Sequence, residues 1–245
     1  MIQNWTFGPE FTPVGASVDA TIAKILTTGW LAQADPASSR ELLNAGRIRH
    51  FIDGAMIYGF QQEQVCLWGV VSGFVRIFVT MNEQDPKLAH CAGPGFWFGE
   101  IPIITGWGRA VQAMAFGDLR LCAVDRSVVT GLARRDAEVW RGVAILSVMN
   151  QMTAIGAGED LMIRDSTKRL VAVLLRLAGH RNAFQGVTAF ATVPVTQFEL
   201  AEASSLSRSS AARILGDLAR QGLIRTDYGT IAILDPDSLK ALLAA

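Results

Sequence analysis

Hydrophobic and polar positions keep four different rhythms along the chain, and each rhythm predicts a different kind of element. Residues 1–45 read as helical with loops: Val18 to Leu26 is periodic at helical spacing, and Ser38–Ser39 can cap a short helix through Leu43. From Arg47 to Asp125 the texture is one of short runs rich in Val, Ile and Phe, at Val65–Val71, Phe74–Thr80 and Leu119–Val124. These alternate with glycine breaks at Gly54, Gly59, Gly73, Gly93, Gly95, Gly99 and Gly117, a spacing that predicts an antiparallel barrel or sandwich. After Ser127 glycine thins and helix formers dominate. One helix from about Arg135 to Ile163 would be on the order of 40 Å long at ~1.5 Å per residue. Its middle, GVAILSVMNQMTAIGAG, is apolar on more than one face. Such a helix must be covered on two sides, one by the β-domain and the other by a second subunit. Gly156 and Gly158 each cost up to about 1 kcal/mol there relative to Ala, and mark either close helix packing or a bend. Asp165 opens a new helix, DSTKRLVAVLLRLAGH, ending near Gly179.

The segment from Val193 to Ile233 carries the most specific pattern. Thr196 followed by Glu199 is a capping box, opening a helix to about Ala203. Ser204–Ser205–Leu206 make a short turn, Ser207 can cap the next helix, and Gly222 stops it after Arg220. Ile224–Thr226 and Thr230–Leu234 then read as two strands around a turn at Asp227–Tyr228–Gly229. On the second helix Ala212, Leu215, Leu218 and Ala219 mark an inward face, and Arg208, Ser209 and Arg213 lie opposite. Long donors at the start of such a helix reach base edges and phosphates in a major groove. Between Ser207 and Arg225 stand four arginines against one acid, Asp217.

That local charge matters because the 245-residue chain carries none overall, with 22 basic and 22 acidic residues. Half the residues are hydrophobic and 18% charged, the balance of a globular protein. Cys66, Cys91 and Cys122 are far apart with no CxxC pair, which disfavours a zinc site, an iron–sulfur site and a disulfide framework. The N-terminus has no basic start and no apolar core, and the longest uncharged stretches, Gly142–Gly158 and Asn182–Phe198, fall short of the roughly 20 apolar residues of a membrane span. A cytoplasmic protein with no membrane partner is expected. His50, His90 and His180 belong to no HExxH motif, and GxSxG and P-loop patterns are absent, so no enzyme is expected.

A second constellation is GPGFWFGEIPIITGWGRAV, residues 93–111. Backbone amides at Gly99–Glu100 with a nearby Arg109 can cradle an anion, and an adjacent acid can accept from a sugar hydroxyl; a structural Glu–Arg pair closing a turn explains the pattern equally well. With these residues the chain resembles the CRP/FNR family over about residues 29–240. The landmarks are LWGVVSGFVRI (67–77), GPGFWFGE and GRA (93–110), DSTKRLVAVLLRLA (165–178) and VTQFELAEASSLSRSSAARILGDLARQGLI (195–224). The resemblance implies an α+β chain: an N-terminal helical segment (1–45), an antiparallel cyclic-nucleotide-binding β-roll of jelly-roll type (46–130), a dimerisation helix (131–163) and a winged helix-turn-helix (164–245). It implies a homodimeric transcription regulator acting on double-stranded DNA, with RNA polymerase as a further partner.

The family's roles carry over in part. Gly99, Glu100 and Ile101 fall on the segment that holds a cyclic phosphate and ribose, and Arg109 on the arginine that neutralises the phosphate. The next position, usually Ser or Thr in nucleotide-binding members, is Ala110. The family's base-contacting polar pair falls at Ala154 and Ile155, which offer no polar group; Asn150 and Thr153 lie close by. A cyclic nucleotide such as cAMP, another small effector, and an empty vestigial pocket in an effector-independent regulator all stand open, as does a cyclic-nucleotide module that controls a partner protein. No N-terminal cysteine cluster exists for an iron–sulfur cluster. His90–Cys91 is the one adjacent candidate for haem, and such a pair beside a strand is more often structural. On the DNA side the resemblance implies phosphate contacts from Thr196 and Gln197 and base or phosphate contacts from Ser207, Arg208, Ser209, Ser210 and Arg213. The usual Ser-Arg-Glu start reads Ser-Arg-Ser here, so a carboxylate acceptor for cytosine is missing and a different operator is expected.

Overall fold

The computed structural model describes residues 20–59, 65–80, 86–109, 111–181 and 189–244. Val18, where the first helical run was expected to begin, lies outside them. Helix α1 (Ala20–Leu26), a 3-10 turn (Gly29–Ala32) and helix α2 (Pro36–Asn44) come first. The cap of α2 is Asp35, not Ser38 or Ser39. Its carboxylate accepts from the amides of Ala37 and Ser38, and Pro36 supplies the fixed φ of a first helical position. Both serines are instead buried inside the helix.

Strands β1 (Arg47–Phe51), β2 (Met56–Tyr58), β3 (Cys66–Val79), β4 (Lys87–Ala92) and β5 (Trp97–Phe98) follow, then helix α3 (Ile101–Thr105) and β6 (Gln112–Asp125). They pair antiparallel in the order β1-β6-β3-β4, with β2 on β6 and β5 on β3. The runs Val65–Val71 and Phe74–Thr80, expected as two strands, are one. Gly73, at φ +78°, bends β3 where its register against β6 shifts. A Cβ there would lie 2.6 Å from the carbonyl oxygen of Asp118, so the close approach of β6 requires glycine.

From β6 the chain passes into α4 (Arg126–Arg135) and α5 (Glu138–Met162). The long helix expected from about Arg135 to Ile163 is α5, which begins after Asp136, where the backbone is extended at φ −141°; α4 is an additional helix ahead of it. Helix α5 alone is still about 37 Å long at ~1.5 Å per residue over its 25 residues. The capping carboxylate of Asp165 opens α6 (Ser166–Leu177), and Gly179 closes it at φ +76°. Then come β7 (Thr192–Val193), α7 (Gln197–Ala203), α8 (Arg208–Arg220), β8 (Ile224–Asp227), β9 (Thr230–Ile233) and α9 (Pro236–Ala244), with the strands ordered β7-β9-β8. Strand β7 and helix α9 add to the elements the sequence predicted. The architecture is the expected α+β one: an antiparallel β-roll, a long helix and a winged helix-turn-helix.

Three buried clusters hold these parts. One lies inside the β-roll around Tyr58, Trp68, Phe98 and Leu121, and a second ties α1, α2, α4 and α5 to the sheet through Leu26, Trp30, Trp97 and Leu146. The third fills the C-terminal domain around Leu174, Leu200, Ile214 and Ile231, and it takes in Leu88 and Cys91 from β4. The β-roll therefore contributes to the core of the C-terminal domain. Among the described residues no helix is long and apolar enough to cross a membrane.

Candidate functional site

The C-terminal face is built by local codes. Thr196 Oγ1 accepts from the Glu199 amide at 3.1 Å, while Glu199 Oε2 accepts from the Thr196 amide at 2.9 Å, the two halves of a capping box that starts α7. The helix ends where Ser205 turns left-handed at φ +52°, and the Leu206 amide donates back to the Ala201 carbonyl at 2.9 Å. Ser207 Oγ then accepts from the Ser210 amide at 3.1 Å and caps α8. Gly222, at φ +74°, terminates it.

The inward face of α8 is Ala211, Ile214, Leu215 and Leu218, all buried. Ala212, expected inward, is exposed, because the buried positions follow the 211/214/215/218 stripe and Ala212 sits one residue off it. Arg208, Ser209 and Arg213 point to solvent, as do Ser207 and Gln197; Ser210 and Thr196 are half-buried. Arg208 lies 3.9 Å over the ring of Phe198, a half-exposed α7 aromatic that sequence reasoning did not single out. Stacking on that ring aims the guanidinium while leaving its N–H edge for a ligand. Arg213 is 3.6 Å from Asp217, an exposed pair worth little. Tyr228 is fully exposed at the β8–β9 turn.

In the β-roll, Gly99 stands at φ +94°, and a Cβ there would come within 2.6 Å of the Cys66 carbonyl oxygen. Glu100 is buried at the start of α3. Burial pushes its carboxyl above the ordinary range, and hydrogen bonds from its own and the Gly99 backbone and from the Asn150 side chain pull the other way. Asn150 also donates to the Trp97 carbonyl at 3.3 Å. Thr153 Oγ1 donates to the Met149 carbonyl within α5, and Ile101 is exposed. Arg109 is buried with its guanidinium 3.7 Å over the ring of Tyr58. Burial lowers the pKa of Arg109 and raises that of Tyr58. Ala110 lies outside the described residues. Ala154 and Ile155 are exposed on α5.

Glu100 and Asn150 thus meet, and Arg109 meets Tyr58, a strand residue some fifty positions upstream with no local signal of that role. Asn150 and Thr153 also line a cavity of about 320 Å³ whose other walls include Trp30, Trp97 and Arg176; Gly99, Glu100, Ile101 and Arg109 are not among its lining.

The haem candidates do not fit that group. His90 and Cys91 are consecutive on β4 and point to opposite faces: His90 toward Phe96, 5.1 Å between ring centres, and Cys91 toward the Pro194 carbonyl at 3.8 Å. The two cannot meet at one iron. Burial also pushes the Cys91 thiol up to about 12, so it is protonated at neutral pH. Among the described residues, no three His, Cys, Asp or Glu side chains are grouped to hold a metal ion.

A β-roll joined through a long helix to a winged helix-turn-helix with an outward basic face defines the class of two-domain, DNA-binding regulators. The profile of the cyclic nucleotide-binding domain matches residues 48–136, and that of the Crp-like helix-turn-helix domain matches residues 168–242. The chain is 30% identical over 178 residues to the cyclic AMP receptor protein of Thermus thermophilus, covering 72% of this chain and 78% of that one. It is 22% identical over 221 residues to the nitrogen fixation regulation protein FixK of Bradyrhizobium diazoefficiens, covering 90% and 92%. A solved CRP/FNR-family transcriptional regulator from Thermus thermophilus superposes with a TM-score of 0.54 at 28% identity, covering 81% of this chain and 98% of that one. The chain belongs to the CRP/FNR family of DNA-binding transcription regulators and carries that family's cyclic nucleotide-binding domain. FixK is named as a regulation protein and the solved Thermus structure as a transcriptional regulator.

Proposed function

We propose that this protein regulates transcription as a homodimer that places two copies of α8 in successive major grooves of double-stranded DNA, roughly 34 Å apart. The observation that carries this reading is the surface of α8: Arg208, Ser209 and Arg213 stand in solvent while the opposite stripe is buried. In this reading Arg208 and Arg213 take guanine edges or phosphates, Ser207, Ser209 and Ser210 line the groove, and Thr196 and Gln197 hold backbone phosphates. Residues 46–130 act as the effector domain, 131–163 as the dimerisation helix and 164–245 as the DNA-binding domain, behind the 1–45 helical segment. RNA polymerase is the partner that reads the bound dimer.

Dimerisation is supported by α5. Ala144, Gln151 and Gly158, and with them Val148, Ile155 and Met162, are exposed at seven-residue spacing. Two such series on one helix make the seam of a coiled coil, and Gly158, which meets nothing within 4 Å, allows close approach.

The effector reading follows the residues. A cyclic nucleotide would lay its phosphate on Arg109 and the Gly99–Ile101 backbone and its ribose on Glu100, with Asn150 and Thr153 nearby on α5. A second reading, a regulator with a vestigial nucleotide pocket, is favoured by the Tyr58 ring covering Arg109 and by the missing hydroxyl at Ala110. Selecting operator fragments from genomic DNA, then measuring affinity with and without cAMP or cGMP, separates the two. The Arg208→Ala/Arg213→Ala variant should lose about 100-fold or more in specific affinity, at ~1–3 kcal/mol per lost base contact, and stay dimeric. Undiminished operator affinity in that variant would overturn the assignment of α8.

A further inference from the structure

The cavity of about 320 Å³ lies outside the Arg109 region, where the β-roll, α5 and α6 meet. It is of ligand size. One wall is aromatic and soft: Trp30 and Trp97 pack edge to face with ring centres 5.8 Å apart, and Phe96, Met149 and Met152 complete it. Gly29 and Gly156 leave parts of the wall without side chains, room for a flat ring.

Charges at the other end are already balanced within the protein. Asp160 accepts from Arg176 at 2.8 Å and from Arg181 at 3.0 Å, and Arg181 also lies 3.7 Å from Glu159. A charged ligand would lose its hydration there without gaining a free counter-charge, so the site favours a neutral one. One buried polar group in this wall is unpaired. Trp30 is 98% buried (2% exposed), and its indole N–H is buried with no acceptor among the described residues. The Cε3–Cζ3 edge of that indole faces Gly142, which puts the N–H on the opposite edge of the ring. A buried donor of this kind gains most from an acceptor oxygen supplied by a bound molecule.

We propose that this cavity is an effector site for a neutral aromatic compound of one or two rings bearing a carbonyl acceptor. It borders the β-roll nucleotide pocket at Asn150 and Thr153 but takes in none of Gly99, Glu100, Ile101 or Arg109, and its walls come from the sensor domain, the dimerisation helix and the DNA-binding domain. The effector role rests on the regulator reading above; the binding site does not. Because Arg176, His180 and Arg181 belong to the DNA-binding half, a ligand wedged against them changes how that half sits on α5, and so changes operator affinity.

The test uses full-length protein and three probes of nearly equal size, followed by fluorine NMR: fluoroacetophenone, fluorobenzoate and fluoroethylbenzene. Fluoroacetophenone should bind once per chain, at least tenfold tighter than the charged fluorobenzoate and about fivefold tighter than fluoroethylbenzene, which lacks the acceptor. Gly156→Leu should weaken binding at least tenfold by filling the space, since a Cβ at Gly156 meets only Arg176 Cδ, at 3.8 Å. Trp30→Phe should abolish the preference for the ketone over the ethyl compound, and Arg109→Ala, outside the cavity lining, should leave ketone binding as it is. Saturating ketone should shift operator affinity at least threefold. Absence of binding, equal binding of fluorobenzoate, a ketone preference that survives Trp30→Phe, or loss of binding in Arg109→Ala would each overturn the site. Binding with no change in operator affinity would overturn the effector role. A protein that binds the ketone but selects no operator sinks the regulator reading and leaves the site standing.

Discussion

Glu199 does two jobs with one carboxylate. Oε2 accepts from the amide and hydroxyl of Thr196, closing the capping box, while Oε1 pairs with Arg76 of β3, both side chains being largely buried. Burial already disfavours the charge on Arg76, so losing its partner leaves a cation in poor surroundings. Glu199→Gln keeps a capping oxygen and loses the charge, and should cost about 1–3 kcal/mol. Glu199→Ala should cost about 1 kcal/mol more, the worth of the cap. Urea denaturation of the two variants separates the terms; equal losses would mean that the cap contributes nothing. His90 is a residue with a pH signature. Burial, with Arg176 adding to it, lowers its pKa to about 3 from 6.5, so the folded protein holds the ring neutral. A depressed folded pKa contributes stability that is present above pH 6.5 and lost as pH falls toward 3. At ~1.4 kcal/mol per unit, about 3 kcal/mol of that contribution should be gone at pH 4.5. His90→Phe should lack this part of the acid loss when unfolding is compared at pH 7.5 and 4.5, and an unaltered difference would show that the ring titrates normally.

At the scale of elements, what was legible in the sequence was what local chemistry encodes. Helices α6, α7 and α8 begin at Asp165, Thr196 and Ser207 and end at left-handed turns because their caps are built from neighbours in sequence. The start of α5 was legible to within three residues, but α4 and the extended turn at Asp136 between the two helices were not singled out. Asp136 carries a local bond, its Oδ1 accepting from the Glu138 amide at 3.0 Å, and a tertiary one that the sequence hides: its Oδ2 accepts from Ser38 Oγ at 2.5 Å, from 98 residues away. Strand β3 ran on through Gly73 for the same kind of reason, because β6 and not the local sequence dictates pairing there. Helix α5 was partly legible: its apolar excess was visible, and the structure resolves it into one buried side, with Val139, Val143 and Leu146, and one exposed seam, with Val148, Ile155 and Met162. Ile155 is 53% exposed at the middle of that seam, so a charge there costs the isolated fold little and a paired helix much. Ile155→Glu should sediment as a folded monomer, with operator affinity lowered about 100-fold or more as one half-site is lost. A variant that remained dimeric would move the interface elsewhere.

Across the whole molecule, the two halves are joined more closely than a linker would join them. Leu88 and Cys91 of β4 are buried among α6, α7 and α8, the Phe74 ring meets that of Phe190 edge to face at 5.0 Å, and Arg76 reaches Glu199. The pivot of this joint is Asp160, fully buried near the end of α5 and bonded to Arg176 and Arg181 beyond the turn into α6. Nothing local marks Asp160 in the sequence, where it is one acid among several at a helix end; its partners lie 16 and 21 residues on. Asp160→Asn keeps the shape and removes the counter-charge from Arg176, whose side chain is 5% exposed. An uncompensated buried charge of this kind costs about 3–5 kcal/mol. The loss should fall on the joint first, so amides of α6 should exchange faster with solvent in Asp160→Asn than amides of β3 and β6. Asp160→Leu combined with Arg176→Met removes both charges and should recover most of the stability, because a buried ion pair and a well-packed apolar pair are worth nearly the same. If the double variant were as unstable as Asp160→Asn, the pivot would be held by shape and by the Arg176 bond to the Ala89 carbonyl, not by charge.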